Sequence, residues 1–137
     1  MERLKLDQES LGLSSFMTQA TGVQVKDCFK DQDTIYFVVG PGDLGKAIGK
    51  RGMNIHRIQD SLHKKVKIIE YSPDAGQFIR NVIYPVQVEE ILEEEKNIIL
   101  RDSSRKTKGL LIGRDGKNLT LLNRAVQRFF NKEVKIS

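Results

Sequence analysis

The sequence predicts an α+β protein made of one two-layer unit written twice. Three observations predict it: a glycine-centred motif that recurs at a fixed offset, apolar spacing that switches between helical and extended periods, and polar turns at matching places in each half. The chain has 137 residues, enough for one ordinary domain or two small ones, and an internal repeat decides the architecture wherever one is present. Leu44–Ile55 aligns with Lys108–Leu119 at an offset of 64, matching Gly45/Gly109, Ile48/Ile112, Gly49/Gly113, Gly52/Gly116, Asn54/Asn118 and Ile55/Leu119. Upstream, Val23-Gln24-Val25 recurs as Val86-Gln87-Val88; downstream, Val66-Lys67-Ile68 recurs as Val134-Lys135-Ile136.

Each half reads in the same order. Leu13, Phe16, Met17 and Ala20 fall at i, i+3, i+4 and i+7, one face of an opening helix, and Ala75, Phe78, Ile79, Val82 and Ile83 repeat the pattern. Ser72 is the candidate N-cap of that second helix, with Pro73 at its first position. Two β-type runs follow: Val23–Phe29 and Ile35–Val39 in the first half, Val86–Leu92 and Asn97–Arg101 in the second. Asp31-Gln32-Asp33 and Glu94-Glu95-Lys96 supply the polar turns between them. A short helical piece, a Gly-x-x-Gly bend and a longer helix come next. Ile55, Ile58 and Leu62 line the longer helix in the first half; Leu119, Leu122, Val126 and Phe129 line its counterpart. Val66–Tyr71 and Glu133–Ser137 close the halves as strands. Three strands with one polar face and three helices on the other make a two-layer unit, and the halves divide as residues 1–72 and 73–137.

Net charge is +5, a modest bias towards a polyanionic partner. Its distribution says more. Asp43–Lys67 holds seven Lys/Arg against two acids, and Lys96–Ser137 holds eleven against three. Each basic block contains one of the glycine bends. The acids gather elsewhere, in Glu89, Glu90, Glu93, Glu94 and Glu95, either the solvated face of a strand or a protein-docking surface. Cys28 is the chain's one cysteine, which excludes an internal disulfide framework and fits a small buried hydrophobe. Met1–Leu6 lacks a signal-type apolar run, and no segment approaches transmembrane length. A soluble, cytoplasmic, monomeric protein without membrane contact is expected.

The chemistry lies in the bends. Ile48-Gly49-Lys50-Arg51-Gly52-Met53-Asn54-Ile55 and Ile112-Gly113-Arg114-Asp115-Gly116-Lys117-Asn118-Leu119 each place two glycines three apart. Such a bend reverses tightly with no Cβ over the backbone, so a phosphodiester can approach bare N–H groups and the start of the next helix. Lys50, Arg51, Arg114 and Lys117 add positive charge at that spot, and Ile48, Ile55, Ile112 and Leu119 offer apolar surface to bases. Asp115 opposes phosphate, which predicts a weaker second clamp.

This pattern resembles the KH domain, whose signature is an aliphatic-Gly-x-x-Gly-x-x-aliphatic segment between two helices and whose loop clamps single-stranded nucleic acid. The helix-strand-strand-helix-helix-strand order is similar to the type II variety, which implies a mixed three-stranded sheet. Two such domains with almost no linker resemble the paired KH region of the NusA family, in particular its short archaeal form. Bacterial members add an amino-terminal polymerase-binding domain and an S1 domain, neither of which these residues resemble. The resemblance implies a non-catalytic factor of transcription elongation or termination that holds nascent single-stranded RNA, with RNA polymerase as a second partner and no cofactor. The RNA-binding residues it implies are Ile48, Gly49, Lys50, Arg51, Gly52, Asn54, Ile55, Ile112, Gly113, Arg114, Asp115, Gly116, Lys117 and Asn118. The alternative is a KH-fold assembly module of the polymerase or ribosome, for which the acidic run speaks.

Other motifs fail on chemistry. Gly40-Pro41-Gly42-Asp43-Leu44-Gly45 spells a dinucleotide fingerprint, but the halves are too small for a doubly wound sheet and the second half has no counterpart. The same stretch approaches a P-loop, yet Ala47 stands where the Mg²⁺-holding hydroxyl belongs. Pro41-Gly42-Asp43 reads better as a turn capping the short helix. His56 and His63 are seven residues apart, about 10 Å along one helix, too far to share a metal. Both read as ordinary surface or groove residues, with contact to a base as the alternative for His56.

Overall fold

Strand pairing explains why each half needs its helices. In the computed structural model, which describes residues 8–31 and 33–137 with side chains from Gly12 onward, the chain divides into two compact units, one ending at Tyr71 and one running from Ser72 to Ser137. The first contains α1 (Gln8–Thr21), β1 (Val25–Lys30), β2 (Thr34–Val39), α2 (Leu44–Ile48), α3 (Met53–Leu62) and β3 (Lys65–Glu70). The second contains α4 (Ala75–Ile83), β4 (Glu90–Glu93), β5 (Asn97–Arg101), α5 (Arg105–Ile112), α6 (Lys117–Phe130) and β6 (Glu133–Ile136). The element order is the one the sequence predicts. Met1–Leu6 and Gln32, the middle of the predicted Asp31–Asp33 turn, lie outside the described residues.

Each sheet has three strands, ordered β1-β2-β3 and β4-β5-β6. β1 pairs antiparallel with β2, which a short turn allows; β2 pairs parallel with β3, and β5 with β6. A parallel pair demands a long crossover that returns over one face of the sheet. In the first unit α2 and α3 are that crossover; in the second, α5 and α6. The bend between the two helices therefore falls in the middle of the connection, away from the strand ends.

The first core joins α1, α2 and α3 to one sheet face: Met17, Ala47 and Ile58 pack with Cys28, Ile35, Phe37, Val39, Val66 and Ile68. Leu13, Phe16, Ala20, Ile55 and Leu62 cover its margins as their spacing predicts. The other sheet face is less polar than expected. Phe29, Val38 and Ile69 alternate out of the core pattern and are still buried, and Phe29 stacks on Tyr36 at 5.0 Å. In the second unit Phe78 and Ile79 of α4, Leu122 and Val126 of α6, and Ile98, Leu100 and Val134 of the sheet are buried. Phe78 meets Phe129 edge-on at 5.5 Å. Leu121 and Ala125 are buried as well, widening the stripe predicted for α6.

Several boundaries differ from the sequence reading. α4 is capped by Asp74, whose carboxylate accepts a hydrogen bond from the Gln77 N–H at 3.2 Å. Ser72 instead accepts from the Asp74 N–H and shapes the turn before the helix. The longer run expected over Val86–Leu92 yields only the four residues of β4, because the Val86 N–H turns back to Ile83 O and the Glu89 N–H donates to the Asp102 carboxylate. β1 begins two residues later than expected, since the Val23 N–H donates to Thr21 Oγ1 at the end of α1. His63 does not belong to α3; it ends the helix with φ 54°.

Candidate nucleic-acid interface

Residue identity builds each bend locally. α2 closes with the Gly49 N–H donating to Gly45 O, and α5 with the Gly113 N–H donating to Gly109 O. There the path leaves the helix. Gly49 takes φ 81°, ψ 169° and Gly113 takes φ 75°, ψ 173°, a region open almost solely to glycine. A single 3-10 turn follows, with the Gly52 N–H donating to Gly49 O at 3.0 Å and the Gly116 N–H to Gly113 O at 3.1 Å. Its middle residue is left-handed in both copies: Arg51 at φ 55°, ψ 29° and Asp115 at φ 56°, ψ 24°. Gly52 and Gly116, at φ 73° and 74°, are also left-handed, and they serve as N-caps of α3 and α6.

The two bends are thus one backbone shape carrying different charges. Asp is at home in the left-handed region; Arg is not, at a cost of about 1–2 kcal/mol. Lys50, Arg51, Arg114, Asp115 and Lys117 are all exposed. The first bend presents two cations ahead of a helix N-terminus, and the second an Arg and an Asp ahead of one.

Apolar surface is distributed differently from the sequence expectation. Ile48 and Ile55 lean against the first core, which leaves them half-buried. Met53 is 59% exposed, and in the second unit Leu110 and Ile112 are 50% and 37% exposed. An open groove of about 550 Å³ runs along the outer face of α3, lined by Lys50, Arg51, Met53, His56, Arg57 and Asp60. Of these, Arg57 and Asp60 lie outside the glycine motif, although Met53, Arg57 and Asp60 share the helical face opposite Ile55, Ile58 and Leu62. Asn54 and Asn118 each reach back across their own bend: the Asn54 amide donates to Lys46 O at 3.0 Å and the Asn118 amide to Leu110 O at 2.9 Å.

Three of the five glutamates of the acidic run have partners within the second unit. Glu89 accepts from the Ser103 N–H, Glu90 meets Arg101 at 3.4 Å and Glu93 meets Lys132 at 2.7 Å. Among the described residues no cluster of His, Cys, Asp or Glu could hold a metal ion, and no helix is long and apolar enough to cross a membrane.

Fold and bends together define the class: a duplicated α+β protein in which each parallel crossover is broken by a Gly-x-x-Gly bend ahead of a helix N-terminus. Comparison with known proteins carries this to a family. The chain is 35% identical over 120 residues to a "Probable transcription termination protein NusA" of Methanococcus vannielii, covering 85% of this chain and 69% of the relative. It is 28% identical over 131 residues to the protein of the same name from Halococcus morrhuae, covering 94% of each. The crystal structure of APE1850 matches with a TM-score of 0.78 at 28% identity, covering 96% of this chain and all of the other. No protein-family model matches. The chain belongs to the NusA family of transcription termination proteins.

Proposed function

We propose that this chain is a non-catalytic transcription termination factor that holds nascent single-stranded RNA at its two Gly-x-x-Gly bends. In this reading residues 1–72 and 73–137 are tandem type II KH domains, and RNA polymerase is the second partner. The observation that carries the proposal is the repetition of one bare-backbone shape in both units, each beside exposed cations and ahead of a helix N-terminus. Phosphates meet the bend and Lys50, Arg51, Arg114 and Lys117. Bases meet the Met53–His56 groove in the first unit and Leu110 with Ile112 in the second. The first unit is the stronger clamp, because Asp115 sits where Arg51 does. The assembly-module alternative is less well supported, since Glu89, Glu90 and Glu93 are engaged within their own unit.

Filter binding with short randomised RNA across a salt series tests the site. The wild type should show a linear fall of log affinity with log salt, and Lys50→Asp with Arg51→Asp should flatten that slope by about 1.4, roughly 0.7 for each cation lost on a single strand. Unchanged affinity in the double variant would remove the first bend from the interface. Gel filtration with purified RNA polymerase separates the alternatives: polymerase association without RNA binding would favour the assembly module.

A further inference from the structure

Lys-Arg fills the middle of the first bend and Arg-Asp that of the second, yet the backbone angles agree within a few degrees. The shape is therefore not set by those residues. Both bends share the two glycines and an asparagine two residues after the second glycine.

We propose that Asn54 and Asn118 are the positioning residues of the bends, each locking its loop in the form that meets a phosphodiester. α2 stops at Ile48, so Lys46 O loses the i+4 donor that a continuing helix would supply; α5 stops at Ile112, and Leu110 O loses its donor likewise. The Asn54 amide, eight residues on, reaches back across the bend and donates to Lys46 O, and the Asn118 amide does so to Leu110 O. The asparagine thus stands in for the N–H of Lys50 or Arg114, which leaves the helical ladder without stranding a carbonyl. The same side chain occupies the space beneath the first glycine. A Cβ on Gly49 would lie 2.7 Å from Asn54 Cγ, and one on Gly113 would lie 2.6 Å from Asn118 Cγ. Glycine and asparagine form an interlocked pair: the missing Cβ admits the amide, and the amide holds the glycine in its unusual conformation. Shape is encoded by Gly and Asn, charge by the two residues between the glycines.

The functional half of this inference rests on the proposed RNA grip, and the test keeps the two apart. In the full chain, Asn54→Ala with Asn118→Ala should lower single-stranded RNA affinity about tenfold per bend at every salt concentration while leaving the log–log salt slope unchanged, because no cation is removed. Loss of Lys50 and Arg51 flattens the slope instead. Amide hydrogen exchange in the free protein should quicken about tenfold at Gly52 and Gly116 in the same variant. Asn54→Leu with Asn118→Leu, which keeps the branched shape at Cγ and removes the donor, serves if the alanine variant fails to fold. Binding within twofold of wild type together with unchanged exchange overturns the lock. If the wild type binds no RNA, the proposed grip fails, and the exchange rates alone decide whether the lock stands.

Discussion

Replacing Gly49 by alanine puts a methyl group 2.7 Å from Asn54 Cγ and 2.9 Å from the Asn54 backbone nitrogen. Real Cβ atoms do not tolerate such contacts, and one of the two is backbone, so the loop itself must shift. The site also holds φ 81° and ψ 169°, which costs a non-glycine residue about 1–3 kcal/mol. Crowding adds a further 1–3 kcal/mol or so, for an expected loss of about 2–6 kcal/mol in the first unit. Gly52→Ala is the internal control. Its φ of 73° is left-handed too, at about 1–2 kcal/mol, but the nearest atoms to a new Cβ, in the His56 ring, lie at 3.5 Å, an ordinary contact. The second unit supplies a replicate: Gly113→Ala should be severe, and Gly116→Ala, with open space around its Cβ, mild. Urea unfolding followed by circular dichroism on the four single variants gives the ranking. Equal losses at Gly49 and Gly52 would refute the account of what the first glycine is for.

Asp115→Arg installs the residue that Arg51 already carries at the same backbone angles, so the fold should accept it; RNA affinity should rise and the salt slope steepen by about 0.7. In the first unit, burial and then the Asp31 carboxylate 3.3 Å away push the Tyr36 phenol up to about 12 from 10.0. The folded state therefore keeps this proton where the unfolded chain gives it up. The stability this confers is complete below pH 10 and drains away between pH 10 and about 12. Tyr36→Phe should remove that component from a pH series of unfolding midpoints; an identical alkaline decline in both proteins would refute it.

Much of this was legible in the residues. The recurrence of Gly49, Gly52 and Asn54 as Gly113, Gly116 and Asn118 exposed the duplication, and the spacing of Leu13, Phe16, Met17 and Ala20 gave α1 its buried face. The strand Ile35–Val39 is unbroken apolar sequence, the pattern of burial on both faces, and the expectation of one polar face runs against that signal. Asp74 and Ser72 are both good caps by chemistry, and only the fold decides which of them meets the Gln77 N–H. The shortening of β4 depends on Asp102, thirteen residues beyond the Glu89 N–H it accepts, a distance that no local pattern encodes. Asn54 matches Asn118 in the repeat, but the reach of its amide back across the bend becomes readable only once Lys46 O has a position.

The central claim is that the bends themselves meet the strand. Amide chemical shifts recorded while short single-stranded RNA is titrated into the labelled protein test it most directly. The earliest and largest changes should fall on Gly49–Met53, with Gly113–Lys117 following at higher RNA concentration. Shifts concentrated on β4 and the glutamates around it, with both bends silent, would contradict the account.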